Sequence, residues 1–262
     1  MSQDNKTHFG FKTVAKDQKS NMVKKIFSNV ANKYDLMNDL MSLSIHRIWK
    51  NEMIKEVYFC KQDKLTNKKT NNYQIIDVAG GTGDIAFRIA KKSIKEHINS
   101  DIKIVDINQE MLEVGKERNI NNHGFNNLEF ILGDGENLNF SSNNFNFYTI
   151  AFGIRNFTNI DNGLKEANRV LKKGGKFICL EFSKVNDYFL QKLYDCYSFK
   201  IIPKIGELVL KDRDSYQYLV ESIRRFPNQD DFAQMIKEAG FVDVSYKNLS
   251  FGAATIHIGY KS

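Results

Sequence analysis

The chain has 262 residues, with 38 lysines and arginines against 31 acids and a formal net charge of +7. That length holds one large α/β domain or two small ones, with a sizeable core in either case. Three cysteines (Cys60, Cys179, Cys196) lie far apart with no C-x-x-C pair, and the five histidines show no metal-ligand spacing, which argues against a disulfide framework or a zinc site and for free thiols in a reducing compartment. No run of about 18 apolar residues predicts a membrane-spanning helix. The basic surface suits anionic lipid or an acidic partner. Its lysine pairs are scattered, and no arginine-rich stripe or basic–aromatic alternation marks a nucleic-acid surface.

Residues 1–20 are polar, contain no apolar signal segment, and are expected to be poorly ordered. From Asn21 to Tyr34 the apolar residues Met22, Val23, Ile26, Phe27, Val30 and Ala31 recur at helical spacing. Apolar residues continue to Trp49. This region reads equally as a lid over a site and as an ordinary helical layer. Lys61–Asn72 is rich in Lys, Asn and Thr and reads as a surface loop or insertion.

The stretch Tyr73–Asp84 is the centre of the pattern. Apolar residues lead to Asp77, then Gly80, Gly81 and Gly83 fall within four positions, and an amphipathic helix begins at once with Ile85, Ala86, Ile89 and Ala90 on one face. A strand, a tight turn and a helix start bring unpaired N–H groups up to a ligand. Gly81 to Ala86 fits one form of the dinucleotide fingerprint. Asp77-x-x-Gly80-Gly81-Thr82-Gly83 fits the nucleoside loop of S-adenosylmethionine-dependent methyltransferases better. A second strand, Ile102–Val105, ends at Asp106, an acid placed either to accept from both ribose hydroxyls of a nucleoside or to cap the next helix.

Strand and helix then alternate. Leu128–Leu132 is the third strand and is followed by Gly133-Asp134-Gly135-Glu136. Asp134 can bind an adenine amino group or serve as a turn aspartate. Phe147–Phe152 is the fourth strand and runs into Gly153-Ile-Arg155-Asn156. Asp161 is a candidate cap for a helix with Leu164, Ala167, Val170 and Leu171 inward. Lys172–Gly175 turns into the fifth strand, Lys176–Phe182, with Glu181 near its end. Such alternation predicts a parallel sheet covered on both faces, whose ligands lie beyond the strands' carboxyl ends. Gly80–Gly83, Asp106, Asp134, Arg155 and Glu181 all fall there. Residues 187–236 break the alternation with an aromatic- and aliphatic-rich stretch that reads equally as a substrate cap and as plain helical core. Val242–Tyr246 and Ala254–Tyr260 predict two closing strands, antiparallel at the sheet edge.

These residues carry a family resemblance. Asp77–Asp84, Asp106–Leu112, Ile150–Asn156, Arg169–Gly175 and Leu180–Lys184 resemble motifs of the ubiquinone/menaquinone biosynthesis C-methyltransferases, the UbiE/COQ5 family, as do Phe9–Phe11, Lys33–Asp39 and Tyr218–Ile223. The resemblance runs from about Phe9 to Tyr260. It implies a class I S-adenosylmethionine-dependent methyltransferase of α/β class: a Rossmann-like seven-stranded sheet, last strand antiparallel, with N-terminal helices and a helical substrate cap. The implied layout is one domain over 1–262, with a helical layer at 21–60, a cofactor-binding core at 72–185, a cap at 186–240 and edge strands at 241–262. The implied reaction moves a methyl group from S-adenosylmethionine, without a metal, to a ring carbon of a polyprenylated quinol. The ring is a 2-methoxy-1,4-benzoquinol in ubiquinone biosynthesis or, alternatively, demethylmenaquinol. A non-catalytic lipid-binding scaffold of a quinone-biosynthesis complex is the reading of another class.

Carried onto this chain, the resemblance makes Thr82, Asp106, Asp134 and Gly135 cofactor contacts, with Gly80, Gly81 and Gly83 forming the turn beneath the methionine part. Ala151 stands where bacterial members often have serine, so a contact there runs through backbone. Arg155 is the candidate for stabilising the developing oxyanion, and Asn156 for orienting the same hydroxyl. Glu181 is either general base or the ion-pair partner of Arg155, and Tyr34 is a candidate for positioning the ring. Partners implied are the quinol, a peripheral membrane contact, quinone-biosynthesis subunits and a second copy of the chain, with no nucleic acid. The location implied is the matrix side of the mitochondrial inner membrane, or alternatively a bacterial cytoplasm.

Overall fold

The computed structural model describes residues 6–30, 39, 42, 44–59, 72–185 and 213–262. Tyr34, Cys60, Cys196, most of the Lys61–Asn72 stretch and the first part of the expected cap lie outside them.

Seven strands form one sheet. In chain order they are β3 (Tyr73–Val78), β4 (Ser100–Asp106), β5 (Leu128–Leu132), β6 (Phe145–Ala151), β7 (Leu171–Phe182), β8 (Phe241–Leu249) and β9 (Ala254–Lys261). Their spatial order is β5-β4-β3-β6-β7-β9-β8. The first five are parallel, and β9 runs antiparallel between β7 and β8, so of the two closing strands only β8 is at the edge. The chain winds outward from β3 to β5, then returns to β3's other side as β6. The crevice between the loops after β3 and β6 is therefore the topological switch point, where such sheets bind ligands.

Alternation along β3 explains why the sheet is covered twice. Ile75 joins a core on one face with Met53 of α2 (His46–Lys55) and Ile85 and Ile89 of α3 (Asp84–Lys95). Its neighbours Ile76 and Val78 join a second core with Leu164 and Val170 of α5 (Ile160–Val170). Ile75, Ile76, Ile89 and Leu164 are fully buried. Each such side chain contributes about 1.5–3 kcal/mol relative to exposure. α3 also carries Asp84 in its first turn and Lys92 and Lys95 in its last, charges that complement the helix dipole. α4 (Gln109–Arg118) covers β4 and β5 and is capped by Asn108, whose Oδ1 accepts the Met111 N–H at 3.1 Å.

Five expectations change. Residues 6–15 are ordered as a hairpin of β1 (Lys6–Phe9) and β2 (Lys12–Ala15). Phe9 stacks on Tyr218 with ring centroids 4.2 Å apart, and Phe11 N–H donates to Glu221 Oε2 at 2.9 Å. Both anchors belong to α6 (Arg213–Arg225), far along the chain, so local composition could not reveal them. α1 starts at Lys16 and runs to Val30, earlier than its apolar repeat suggests. α5 is capped by Asn159, which accepts from Asn162 N–H, and Asp161 sits in the first turn instead. Helix α5 stops at Val170, and Lys172–Gly175 forms an irregular opening of β7, where the register jumps from Phe145↔Leu171 to Phe147↔Lys176. At the end of the expected cap, α7 (Gln229–Glu238) buries Phe232 and Ile236 in the core beside Phe241, which makes it a layer on the sheet.

Candidate active site

A cleft of about 310 Å³ opens at the carboxyl ends of β3, β4, β5 and β6. Gly80, Gly81 and Thr82 line it from the loop after β3, Asp106 from β4, Asp134 and Gly135 from the loop after β5, and Ala151 and Asn156 from the end of β6. Eight residues named from sequence thus meet at one cavity. Gly83 stands just behind as the left-handed N-cap of α3. Val23, Lys24 and Phe27 of α1 form part of the cleft's wall, so the N-terminal layer helps to enclose the site.

The loops meet closely. Gly81 has φ +51°, and a Cβ there would lie 2.9 Å from Met111 Cε. Gly153 has no room for a side chain, because its Cβ would strike that of Ala79. Ala79 and Phe152 hold positive φ of 51° and 57° without being glycine, a backbone cost of order 1–3 kcal/mol each, of the kind that recurs at ligand clamps.

Asp106 does not cap α4. Its Oδ2 accepts Gly81 N–H at 2.9 Å and its Oδ1 accepts Asn108 N–H at 2.8 Å. A carboxylate has about four acceptor sites, which leaves capacity for ligand hydroxyls. Burial pushes its carboxyl up to about 6, against the N–H groups of Asn108, Gly81 and Ile107. Asp77 is more deeply enclosed. Thr149 Oγ1 donates to its Oδ1 at 2.7 Å, while Oδ2 is buried with no partner among the described residues. Burial raises Asp77 to about 7. Asp134 lines the cleft and also accepts Glu136 N–H at 2.9 Å, so it is a turn aspartate as well. Thr82 Oγ1 accepts from Arg118 at 3.1 Å.

Arg155 and Glu181 stand apart from this cavity. Neither lines it. Arg155 Nη1 meets Glu181 Oε1 at 2.7 Å, with the two side chains 2% and 1% exposed. The same Nη1 donates to Phe152 O at 2.5 Å, and the guanidinium lies 5.6 Å from the centroid of the Phe182 ring. Glu181 also accepts Phe182 N–H at 2.9 Å and Arg155 N–H at 3.4 Å. Burial raises Glu181, and Arg155 opposes that rise. Asn156 does face the cleft, and its Oδ1 accepts from Tyr218 at 3.0 Å. Its Nδ2 has no partner among the described residues.

Three contributors were missed from sequence. Lys50 of α2 lines the cleft and pairs with Asp84 at 2.7 Å. Burial opposes ionisation of Asp84, but Lys50 and Arg88 outweigh it and hold the carboxyl at about 2. Asn108 Nδ2 donates to Lys24 O at 3.1 Å and Ser28 Oγ at 3.0 Å, tying α1 to the loop after β4. Glu136 accepts the N–H groups of Thr158 and Asn159 at 2.5 and 2.8 Å, clamping the loop after β5 to the start of α5. Asn108 carried a readable signal as an N-cap, whereas the other two depend on contacts distant in sequence.

Residues 12–261 match the model of the ubiE/COQ5 methyltransferase family. The chain belongs to that family. A Rickettsia bellii protein named ubiquinone/menaquinone biosynthesis C-methyltransferase UbiE is 50% identical over 98% of this chain and 99% of its own length. Proteins from Dictyostelium discoideum and Mus musculus, both named 2-methoxy-6-polyprenyl-1,4-benzoquinol methylase, mitochondrial, are each 47% identical. They cover 100% and 97% of this chain and 88% and 84% of their own lengths. Among solved structures, a Thermotoga maritima S-adenosylmethionine-dependent methyltransferase, described as a possible histamine N-methyltransferase, aligns with TM-score 0.59 at 19% identity over 91% of this chain and 99% of its own. The [4+2]-cyclase SpnF aligns at TM-score 0.64 and 12% identity, over 92% of this chain and 96% of its own. That likeness shows the shared fold and also that the fold hosts other chemistry.

The protein is an S-adenosylmethionine-dependent methyltransferase, and its cleft fits that donor. The glycine turn leaves a cradle that a Cβ at Gly81 would disturb, Asp106 keeps acceptor capacity toward the cleft, and Asp77 Oδ2 is an orphaned acceptor at its base. These observations suit a nucleoside carrying a ribose diol and an ammonium group.

Proposed function

We propose that this enzyme methylates a ring carbon of a polyprenylated 2-methoxy-1,4-benzoquinol in ubiquinone biosynthesis. The reading is carried by the nearly full-length likeness to two mitochondrial proteins with that substrate in their names.

Bound S-adenosylmethionine supplies an activated sulfonium methyl group, so the remaining difficulty is the carbon nucleophile. A free phenolic hydroxyl titrates near ~10, and its ring becomes strongly nucleophilic as the proton leaves. Asn156 is placed to help, because its Oδ1 is fixed by Tyr218 and its Nδ2 is free to donate to the developing phenolate. Arg155 acts through this turn: it binds Phe152 O and Glu181 and so fixes the backbone that presents Asn156. Glu181 is the structural half of that pair, with its oxygens occupied by Arg155 and backbone N–H groups. Asp106 and the glycine turn hold the nucleoside, and the α1 residues Val23 and Phe27 shield the cleft from water. Fixing the two reactants in line can supply roughly 7–11 kcal/mol of the barrier. Tyr34 remains a proposed ring contact.

The isoprenoid tail requires access to a membrane, and the net charge of +7 supports contact with anionic lipid. We place the protein on the matrix side of the mitochondrial inner membrane, as a peripheral protein working with other quinone-biosynthesis subunits and as a homodimer. Flotation with isolated inner membranes and light scattering of the purified protein test these placements.

The deciding experiment is transfer of label from S-adenosylmethionine to short-tailed analogues. Label on the methoxy-benzoquinol supports the proposal. Label only on demethylmenaquinol moves the substrate to the naphthoquinol ring, which the names of the bacterial relatives also cover. Cofactor binding without transfer to either ring favours the scaffold reading.

A further inference from the structure

A second cavity, of about 110 Å³, lies between the β1–β2 hairpin, α1, α6 and the turn at Arg155. Its composition differs sharply from that of the first. His8, Lys19, Arg155 and Arg225 line it, with the hydroxyl residues Thr158 and Ser222 among its other walls. Among the described residues none that lines it is acidic. Carboxylates meet two of these cations from outside the cavity: Glu181 pairs with Arg155 at 2.7 Å, and Glu136, which accepts the N–H groups of Thr158 and Asn159, partly offsets the charge of Lys19.

Two of the cations form the floor. Lys19 is 4% exposed and Arg155 6%. Lys19 Nζ donates to Phe157 O at 2.6 Å, and its other two donors have no partner among the described residues. Arg155 Nη2 likewise lacks one, since Glu181 and Phe152 are both served by Nη1. His8 and Arg225 are exposed and stand at the mouth, where Arg225 lies 5.7 Å from the centroid of the Phe11 ring. The positive potential acts on the mouth itself: burial and then the charges of Lys19 and Arg225 lower the His8 imidazole. Burying an ammonium with unfilled donors is costly unless something supplies the acceptors.

We propose that this cavity is a binding site for a phosphate group, inorganic or carried by a lipid headgroup, held by Lys19 and Arg155 below and Arg225 above. A tetrahedral oxyanion fills the several acceptor positions that converging cations and hydroxyls demand, and guanidinium groups match its geometry. The volume is about a third of that of the 310 Å³ cleft, room for a few solvent-sized groups and not for a prenylated ring. The site opens beside the hairpin tip, where Phe11 is 49% exposed, so a lipid phosphate entering it would seat an aromatic side chain at the membrane interface. The inference stands independently of the ring assigned above.

Titration of the full-length protein with inorganic phosphate, at constant ionic strength and followed by calorimetry, tests it. The expected result is saturable binding at about 1 mM or tighter, weakened about tenfold or more by Lys19→Met and by Arg225→Gln. The distant exposed variant Lys95→Gln should leave it unchanged. Arg225 is exposed, so its variant keeps the test intact if Lys19→Met fails to fold. Sedimentation with phosphatidylcholine vesicles, with and without phosphatidic acid, separates the sources. Recruitment that needs phosphatidic acid and is lost in Arg225→Gln assigns a lipid phosphate, and phosphate binding without recruitment assigns a soluble one. No saturable phosphate binding in the wild type, or binding equally weakened by Lys95→Gln, overturns the proposal.

Discussion

Two acids end strands of the same sheet, with β3 and β6 between them, and have opposite fates. Asp106, at the end of β4, faces a cleft and spends two acceptor positions on the backbone of Gly81 and Asn108. Glu181, near the end of β7, is sealed with Arg155, and its oxygens are occupied. Both are pushed upward by burial. The difference lies in what covers them. The loop after β3 gives Asp106 glycines and an open cavity, whereas the turn at 152–156 folds a guanidinium down onto Glu181. Position on the rim thus marks a candidate, and the covering loop decides between ligand contact and scaffold.

The strongest way to break this contrast is to open the ion pair. Arg155→Ala leaves a carboxylate buried and unpaired, and should destabilise the protein by about 3–5 kcal/mol, read from denaturant unfolding. Arg155→Met with Glu181→Met should recover most of that loss. If Arg155→Ala is as stable as wild type, the pair is not the support described. Next, Asn156→Ala should lower kcat by about 10²–10³ while S-adenosylhomocysteine affinity stays within about twofold. A parallel fall in affinity would show that the residue holds the cofactor and not the developing charge.

On the other half of the rim, the proposed nucleoside contact predicts that Asp106→Asn weakens charge-assisted bonds to the ribose. About 1.5–3 kcal/mol, or roughly 10–150-fold in S-adenosylhomocysteine affinity, should be lost, with the melting temperature little changed. The smallest effect is on pH. Burial raises Asp106 to about 6, and in the proposed contact it is the charged form that accepts from both ribose hydroxyls. Cofactor affinity should therefore hold at pH 8 and fall as pH drops through 6, about tenfold lower by pH 5. The wild-type slope should be missing in Asp106→Asn, and an equal slope in both proteins would place the titration elsewhere.

Much of the cofactor half was legible because its signals are local. A glycine turn after an apolar strand, an acid ending the next strand and a Gly-Asp-Gly turn after the third all fall at strand carboxyl ends on a parallel sheet, so their meeting at one cleft was readable even where the role of Asp106 or Asp134 was left open. The Arg155 half was legible only as a cluster. Sequence placed Arg155 and Glu181 at strand ends but left base and ion pair open, because the choice depends on Ser222, Phe152 and Phe182 closing around them. The hairpin was misread for the same kind of reason. Lys6–Ala15 is polar and short, and its order comes from Tyr218 and Glu221 far along the chain. Lys50 lay inside a helix with ordinary amphipathic spacing, and nothing nearby announced that its ammonium would meet Asp84.

The measurement closest to the central claim is methyl transfer by Glu181→Gln at saturating cofactor and pH 7.5, with folding checked by thermal melting and the Arg155→Met, Glu181→Met pair as a second variant should the first melt early. A carboxylate that only supports the turn can be replaced, so turnover by the folded variant should stay within about tenfold of wild type. A general base typically contributes 10²–10⁴, so a hundredfold or greater loss in a stably folded variant would contradict the account and return Glu181 to the chemistry.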